Sequence, residues 1–193
     1  MAMNTLYTRV ATLAVGLVLL AVGASGQSPA DAELTAQLKK LFPTAASFSP
    51  KTGAPAVYKA FGPAADEKEG ELLGLAYWTT ELEPLERGFD GPIKMLVGLD
   101  PAGEIAGVIV ADHREPYGYF SVDLPDWPNQ FVGKSIRDSF KVGTDVDAIS
   151  RATITVTSAS RAIRNASRKV ARAHLAPPAP PAAGAGGATA PTQ

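Results

Sequence analysis

The 193-residue chain contains no cysteine. That excludes disulfides and removes thiolate ligands for a metal, an iron–sulfur cluster or a c-type haem, so any redox role needs an organic cofactor. Long apolar runs are also missing. The most hydrophobic stretch, Val10 to Val22, falls short of the ~20 residues of a spanning helix. It follows the single charge Arg9 and precedes Gly23, Ala24, Ser25 and Gly26, which is the layout of a secretory signal peptide over residues 1–26. The alternative is an uncleaved anchor in the cytoplasmic membrane; in either case the domain is exported, to a periplasmic or other extracytoplasmic location. At the other end, residues 176–193 lack charge and large side chains and consist almost wholly of Pro, Ala, Gly and Thr, the composition of a disordered tail. The folding unit is therefore expected over residues 27–175. Removing the leader deletes only Arg9, which takes the formal net charge from −1 to about −2. Nothing in that balance points to nucleic acid.

Acid is absent from one further segment. Arg161, Arg164, Arg168, Lys169 and Arg172 follow one another with no Asp or Glu between them. Spacings of three and four put the arginines on one helical stripe. A solvated face is the ordinary reading of such a stripe, and a docking surface for an acidic partner or for lipid headgroups is the other.

The remaining pattern predicts alternating short elements with no internal repeat. Ser28 and Pro29 read as the start of a helix whose Leu34, Leu38 and Leu41 recur at helical spacing until Pro43. Ala56 to Phe61 and Leu72 to Thr80 read as strands on either side of the acidic Asp66 to Glu71 loop. Ile93 to Leu99 and Glu104 to Ala111 form a hairpin around Asp100-Pro101-Ala102-Gly103, with Pro and Gly placed as a type I turn requires. Asp112 to Pro128 lacks a period and reads as an irregular aromatic loop, with Trp127 and Phe131 as lids on the core. A short helix is expected at Lys134 to Phe140, and a longer one from about Ser158 to Leu175 buries Ile163, Ala166 and Val170. His174, at its end, reads as a solvent residue. These elements give an α+β fold, a single domain built on an antiparallel sheet flanked by helices.

The chemistry gathers at Asp147-Ala148-Ile149-Ser150-Arg151-Ala152-Thr153-Ile154-Thr155. Taken as residues alone, this is a hydroxyl-rich turn leading into a helix, a place where backbone N–H groups and Ser or Thr hydroxyls can meet a phosphate or merely cap the helix. The stretch resembles the flavinylation motif of the FMN-binding domain family, Asp-x-x-Ser-Gly-Ala-Thr followed by Thr or Ser. Asp147, Ser150, Ala152 and Thr153 match it. The likeness extends, in the family's order, through Leu41-Phe42-Pro43, Gly88-Phe89-Asp90-Gly91-Pro92-Ile93, His113-Arg114-Glu115-Pro116 and Phe131-Val132-Gly133-Lys134-Ser135. The family occurs in flavin subunits of sodium-translocating NADH:quinone reductases and Rnf-type complexes, and as the extracytoplasmic head of NosR/NirI-type regulators, which this chain resembles most. The motif's glycine is Arg151 here, in the manner of the NosR-like members.

The resemblance implies FMN as cofactor, joined as a phosphoester to Thr153. It assigns Asp147, Ser150, Ala152 and Thr155 to the motif around the phosphate. The walls of the ring site would be the Gly88 to Ile93 turn, with Gly91 and Ile93, and the His113 to Gly118 loop, with His113, Glu115 and Gly118. No catalytic residue or metal ligand is expected. A threonine hydroxyl is a weak nucleophile without a base, so attachment is assigned to a partner, a magnesium-dependent flavin transferase of the ApbE type that uses FAD. The function expected is that of an electron-transfer flavoprotein subunit rather than a stand-alone enzyme, exchanging electrons with a membrane electron-transfer complex or a cytochrome. A NosR/NirI-like regulatory or assembly module and a flavin-free exported binding domain are the alternatives.

Overall fold

The computed structural model describes residues 29–64 and 70–175. The expected leader and tail lie outside the described residues. Helix α1 (Pro29–Leu41) opens the domain as its sequence directs, with Asp31 in the first turn and Lys39 and Lys40 in the last, matching the helix dipole at both ends. Five strands follow, β1 (Ser47–Phe48), β2 (Tyr58–Phe61), β3 (Leu72–Trp78), β4 (Lys94–Leu99) and β5 (Ile105–Asp112). Every neighbouring pair is antiparallel and the spatial order is the chain order, β1-β2-β3-β4-β5. The fold is therefore the single α+β domain that the sequence implied.

Period-two alternation divides the sheet into two faces. Leu75, Tyr77, Met95, Val97, Leu99 and Ile105 pack into one core with Val156, Ile163, Ala166 and Val170 of the long C-terminal helix α4 (Thr153–His174). Ala60, Ala76, Trp78 and Leu96 face the other way, onto Leu38, Leu41 and Phe42. Glycine permits the close approach on that side. A Cβ on Gly74 would collide with the Phe42 ring, and one on Gly107 would lie 2.8 Å from Leu41. The Tyr77 hydroxyl, buried under α4, donates to Ser167 Oγ at 2.7 Å, and burial drives its pKa far above the usual tyrosine value.

The structure departs from the sequence reading at several places. Thr79 and Thr80 do not prolong β3; they begin a one-turn helix, α2 (Thr79–Leu82), where the Thr79 hydroxyl accepts the Met95 N–H at 3.1 Å. Lys134 to Phe140 is not helical. It runs beside the start of β5, with Ile105 N–H donating to Lys134 O and Ile136 N–H to Gly103 O, both at 2.9 Å. Open backbone groups at the sheet edge outcompete a helical turn there. Helix α4 starts at Thr153, five residues before the expected Ser158. Its first turns are poor in helix formers, but burial of Val156 and Ala159 and internal partners for the hydroxyls outweigh propensity. Between β5 and α4 lie a 3-10 turn at Gly118–Phe120 and a one-turn helix α3 (Asp126–Asn129). Trp127 and Phe131 are buried, and Phe131 stacks on Phe140. His174 is not a solvent residue: its Nε2 lies 2.8 Å from Pro55 O and is partly buried.

Candidate functional site

The motif segment reaches α4 through a strained step. Ala152 N–H donates to Ile149 O at 3.1 Å, and Arg151, where the motif has glycine, takes φ +69°. An L-residue in this left-handed region costs about 1–2 kcal/mol. Arg151→Gly is therefore expected to raise folding stability by up to about 1 kcal/mol, the strain relieved less the entropy of a freer unfolded chain, measurable as a shift in denaturant midpoint.

Ala152 stands at the cap position of α4, where it offers no side-chain oxygen. It is buried, while Thr153 and Ile154 are exposed. The Thr153 hydroxyl makes no hydrogen bond among the described residues. The helix thus presents an uncapped positive end and an unspent hydroxyl to the surface. Thr155 points inward. Its hydroxyl donates to Glu115 Oε2, so this hydrogen is spent inside the protein.

Glu115 joins three segments. Its carboxylate is buried and accepts the N–H groups of Phe89 and Asp90, both at 2.9 Å, as well as the Thr155 hydroxyl. Gly88 makes the approach possible, since a Cβ there would fall 2.5 Å from Glu115 Oε1. The turn itself closes through Gly88 N–H to Gly91 O at 2.7 Å, with Gly91 at φ +140°. Glu115 is set in turn by His113. Glu115 N–H donates to His113 Nδ1 at 3.0 Å, which places the imidazole proton on Nε2, 2.7 Å from Asp123 Oδ1. Gly118 leaves room for that ring, because a Cβ there would collide with His113 Cε1. Both nitrogens of His113 are therefore engaged, and its place is that of a loop-setting residue.

A cleft of ≈ 260 Å³ opens beside Thr153, lined by Phe89, Tyr117, Arg151, Thr153, Ile154 and Thr155. Three of these are large apolar side chains left open to solvent: Phe89 is 67 % exposed, Ile154 57 % and Tyr117 44 %. Exposed apolar side chains gathered on one concavity mark a binding surface more than scattered ones do. Thr153 and Thr155 are the only residues of the expected set that line the cleft. Gly91, His113, Glu115 and Gly118 shape its walls from behind. Ile93 belongs to the core, and Asp147 N–H donates to Gln130 Oε1 at 2.8 Å, away from the cleft. Ser150 is exposed in the turn before Arg151. Tyr117 falls within the His113 to Gly118 loop that the resemblance indicated as a wall, and Ile154 within the motif, although neither was singled out as a site residue.

The Phe89 wall is tied to α4 by an ion pair. Arg161 Nε and Nη2 meet the two oxygens of Glu86 at 2.8 and 2.5 Å, and Ser158 Oγ donates to Glu86 Oε1 at 3.1 Å. The Arg161 guanidinium holds Glu86 below the ordinary glutamate value despite the opposing effect of burial. A carboxylate depressed in the folded state stabilises the fold above its unfolded pKa and loses that contribution as pH falls through the folded value. Stability is thus expected to decline below about pH 4.5, and Glu86→Gln to flatten that decline in urea melts taken across the acid range.

Residues 88–168 match the FMN-binding domain. That span holds the Gly88–Gly91 turn, the His113–Gly118 loop, the motif and most of α4, and the match makes FMN the implied cofactor. The chain is also distantly homologous to the RnfG subunit of ion-translocating oxidoreductase complexes. It is 34% identical over 115 residues to that subunit in Haemophilus influenzae strain PittEE, covering 54% of this chain and 52% of the relative. The corresponding protein of Vibrio vulnificus is 34% identical over 88 residues, 40% of this chain and 42% of the relative. That of Shewanella baltica is 36% identical over 89 residues, 41% and 42% respectively. The chain spans about half the length of these relatives or less. Among the described residues no helix is long and apolar enough to cross a membrane.

Proposed function

We propose that this chain is an extracytoplasmic flavoprotein module that carries FMN as a phosphoester on Thr153 and exchanges electrons with a membrane-associated redox partner. The observation that carries the reading is the Thr153 hydroxyl, exposed and without a partner among the described residues at the uncapped start of α4, beside an apolar cleft. The residues suit the cofactor's two chemistries. The first turn of α4, Ser150 and the Arg151 guanidinium would hold the phosphate, and Phe89, Tyr117 and Ile154 would supply apolar surface for the ring. Glu115, with Gly91, His113 and Gly118 behind it, keeps those walls in place, and Ala152 sets the depth at which the helix begins.

Bound FMN supplies one- or two-electron transfer, and a covalent tether outside the cytoplasm prevents its loss. Thr153 has no base in contact among the described residues, so attachment falls to a flavin transferase of the ApbE type acting on FAD with magnesium, with Asp147 exposed for recognition of the motif. Export is supported by the composition of residues 1–26, and a membrane partner by the complexes to which the relatives belong. Arginine at the motif's glycine supports placing the chain nearest the NosR/NirI-type members. Mass spectrometry of protein exported from a transferase-bearing host tests the central claim. A Thr153 peptide heavier by one esterified FMN is expected; that peptide recovered unmodified from such material overturns it.

A further inference from the structure

The arginine stripe of α4 is not simply solvated. Arg164 Nε donates to Asn165 Oδ1 at 3.2 Å and its Nη1 to Ser139 O at 3.3 Å. Arg168, one turn on, donates from Nε to Ile136 O at 2.7 Å and from Nη2 to Asp138 O at 2.8 Å. All four acceptors are neutral. Among the described residues neither guanidinium has a carboxylate within ion-pair distance, whereas Arg161 pairs with Glu86 and Lys169 with Glu83. Arg164 and Arg168 are therefore held in place without an ion-pair partner of their own among the described residues, although Glu86, paired with Arg161, lies near enough to feel the Arg164 charge.

The neighbouring loop adds to the same face. Phe140 sits at φ +50°, a strained value, and Asp145 holds it there by accepting the N–H groups of Phe140 at 2.8 Å and Lys141 at 2.5 Å and the Ser139 hydroxyl at 2.8 Å. Three hydrogen bonds on a strained turn fix where Lys141 stands, at the mouth of a ≈ 440 Å³ cavity that Thr157, Arg161 and Arg164 also line. Arg137 and Arg172 are exposed and share the next depression along, with Ile136 at its floor, and neither guanidinium has a hydrogen bond or ion pair among the described residues. Of the acids here, Asp138 and Asp145 direct their carboxylates at backbone amides of their own turns, Glu86 is paired with Arg161, and Glu83, which shares a depression with Arg168 and Arg172, is paired with Lys169; the cations outnumber all four.

We propose that this face, from Lys141 and Arg164 to Arg168, Arg137 and Arg172, docks an acidic segment of a protein partner. Planar guanidiniums fixed by carbonyls keep N–H groups free to grip a carboxylate and lose little entropy in doing so. The rest of the chain is acidic, so the charge asymmetry orients an acidic partner toward this face. A bilayer is the poorer fit. None of the exposed large apolar side chains comes from residues 134–145 or from α4 beyond its first turn, so nothing on the face would enter lipid.

The test is fluorescence anisotropy with a labelled oligoglutamate peptide at low ionic strength, using the full exported chain. Binding is expected, weakened about tenfold by raising salt until the Debye length falls well below 10 Å. Arg137→Gln/Lys141→Gln/Arg172→Gln should weaken it by a similar factor without touching a structural side-chain hydrogen bond. Arg164→Gln/Arg168→Gln should weaken it further; because those arginines also brace the 136–139 turn, the triple variant decides if the double variant unfolds. Lys39→Gln/Lys40→Gln on α1 should leave binding unchanged. No peptide binding, equal loss in the α1 variant, or tighter binding to phosphatidylglycerol vesicles than to the peptide overturns the proposal. Thr153→Ala should bind the peptide like the parent, so this result and the flavin result fail separately.

Discussion

Thr153→Ala is expected to yield a folded, exported and colourless protein. Thr153 is exposed and makes no hydrogen bond among the described residues, so its loss should cost less than about 0.5 kcal/mol of stability, as for an ordinary surface substitution. The effect on flavin should be all or none, because no other hydroxyl of the motif offers the same combination. Thr155 is buried and bonded to Glu115, and Ser150 lies in the turn before the helix rather than on its first turn. The measurement is an absorption spectrum of denatured, desalted protein matured with a transferase, set beside the mass of the motif peptide. Flavin absorbance that survives denaturation in the variant would show attachment elsewhere. Thr153→Ser keeps the nucleophilic oxygen in the same backbone position and should retain covalent flavin.

How far the sequence reaches depends on the range of the interactions involved. Helix α1 and the β4–β5 hairpin were legible because their signals are local: Pro29 and Pro43 bracket the helix, and Asp100 to Gly103 carries its own turn chemistry, with Gly103 at φ +85°. The start of α4 was misplaced since its hydroxyls find partners 40 and more residues away, Thr155 at Glu115 and Ser158 at Glu86, and no local pattern records that. For the same reason the segment from Lys134 to Phe140 looked helical until a sheet edge captured it. The Arg151 position illustrates the opposite case. The glycine usual in the motif permits either positive φ or close backbone approach, and the arginine found there adopts the positive φ at a cost. At the site, motif likeness indicated the Gly88, His113 and Asp147 segments, but not that His113 would be fully engaged or that Thr155 would face inward. Those outcomes depend on a buried carboxylate that gathers three distant pieces of chain.

Removal of that carboxylate should have the largest structural effect. Glu115→Ala leaves the N–H groups of Phe89 and Asp90 and the buried hydroxyl of Thr155 without their acceptor. An unsatisfied buried donor costs about 1–3 kcal/mol, and that full penalty falls on the Thr155 hydroxyl, while the N–H groups of the exposed Phe89 and Asp90 lose only the net worth of their bonds, about 1 kcal/mol each; the total expected is roughly 3 kcal/mol, a large fraction of the stability of a domain this size. Glu115→Gln separates charge from shape. The amide retains one acceptor oxygen, but its NH2 must face at least one of the two backbone donors, and donor against donor repels; a loss intermediate between parent and alanine is expected in urea melts. Because the Phe89 wall and the first turn of α4 are both fastened to Glu115, the glutamine variant should also take up covalent flavin more slowly than the parent under conditions where both are folded. Unchanged stability in Glu115→Ala would mean that the three donors find other partners, and the account of a cleft held open from behind would then fail. Flavinylation at the parental rate in a folded but destabilised Glu115→Gln protein would instead confine Glu115 to stability and leave the geometry around Thr153 to the helix alone.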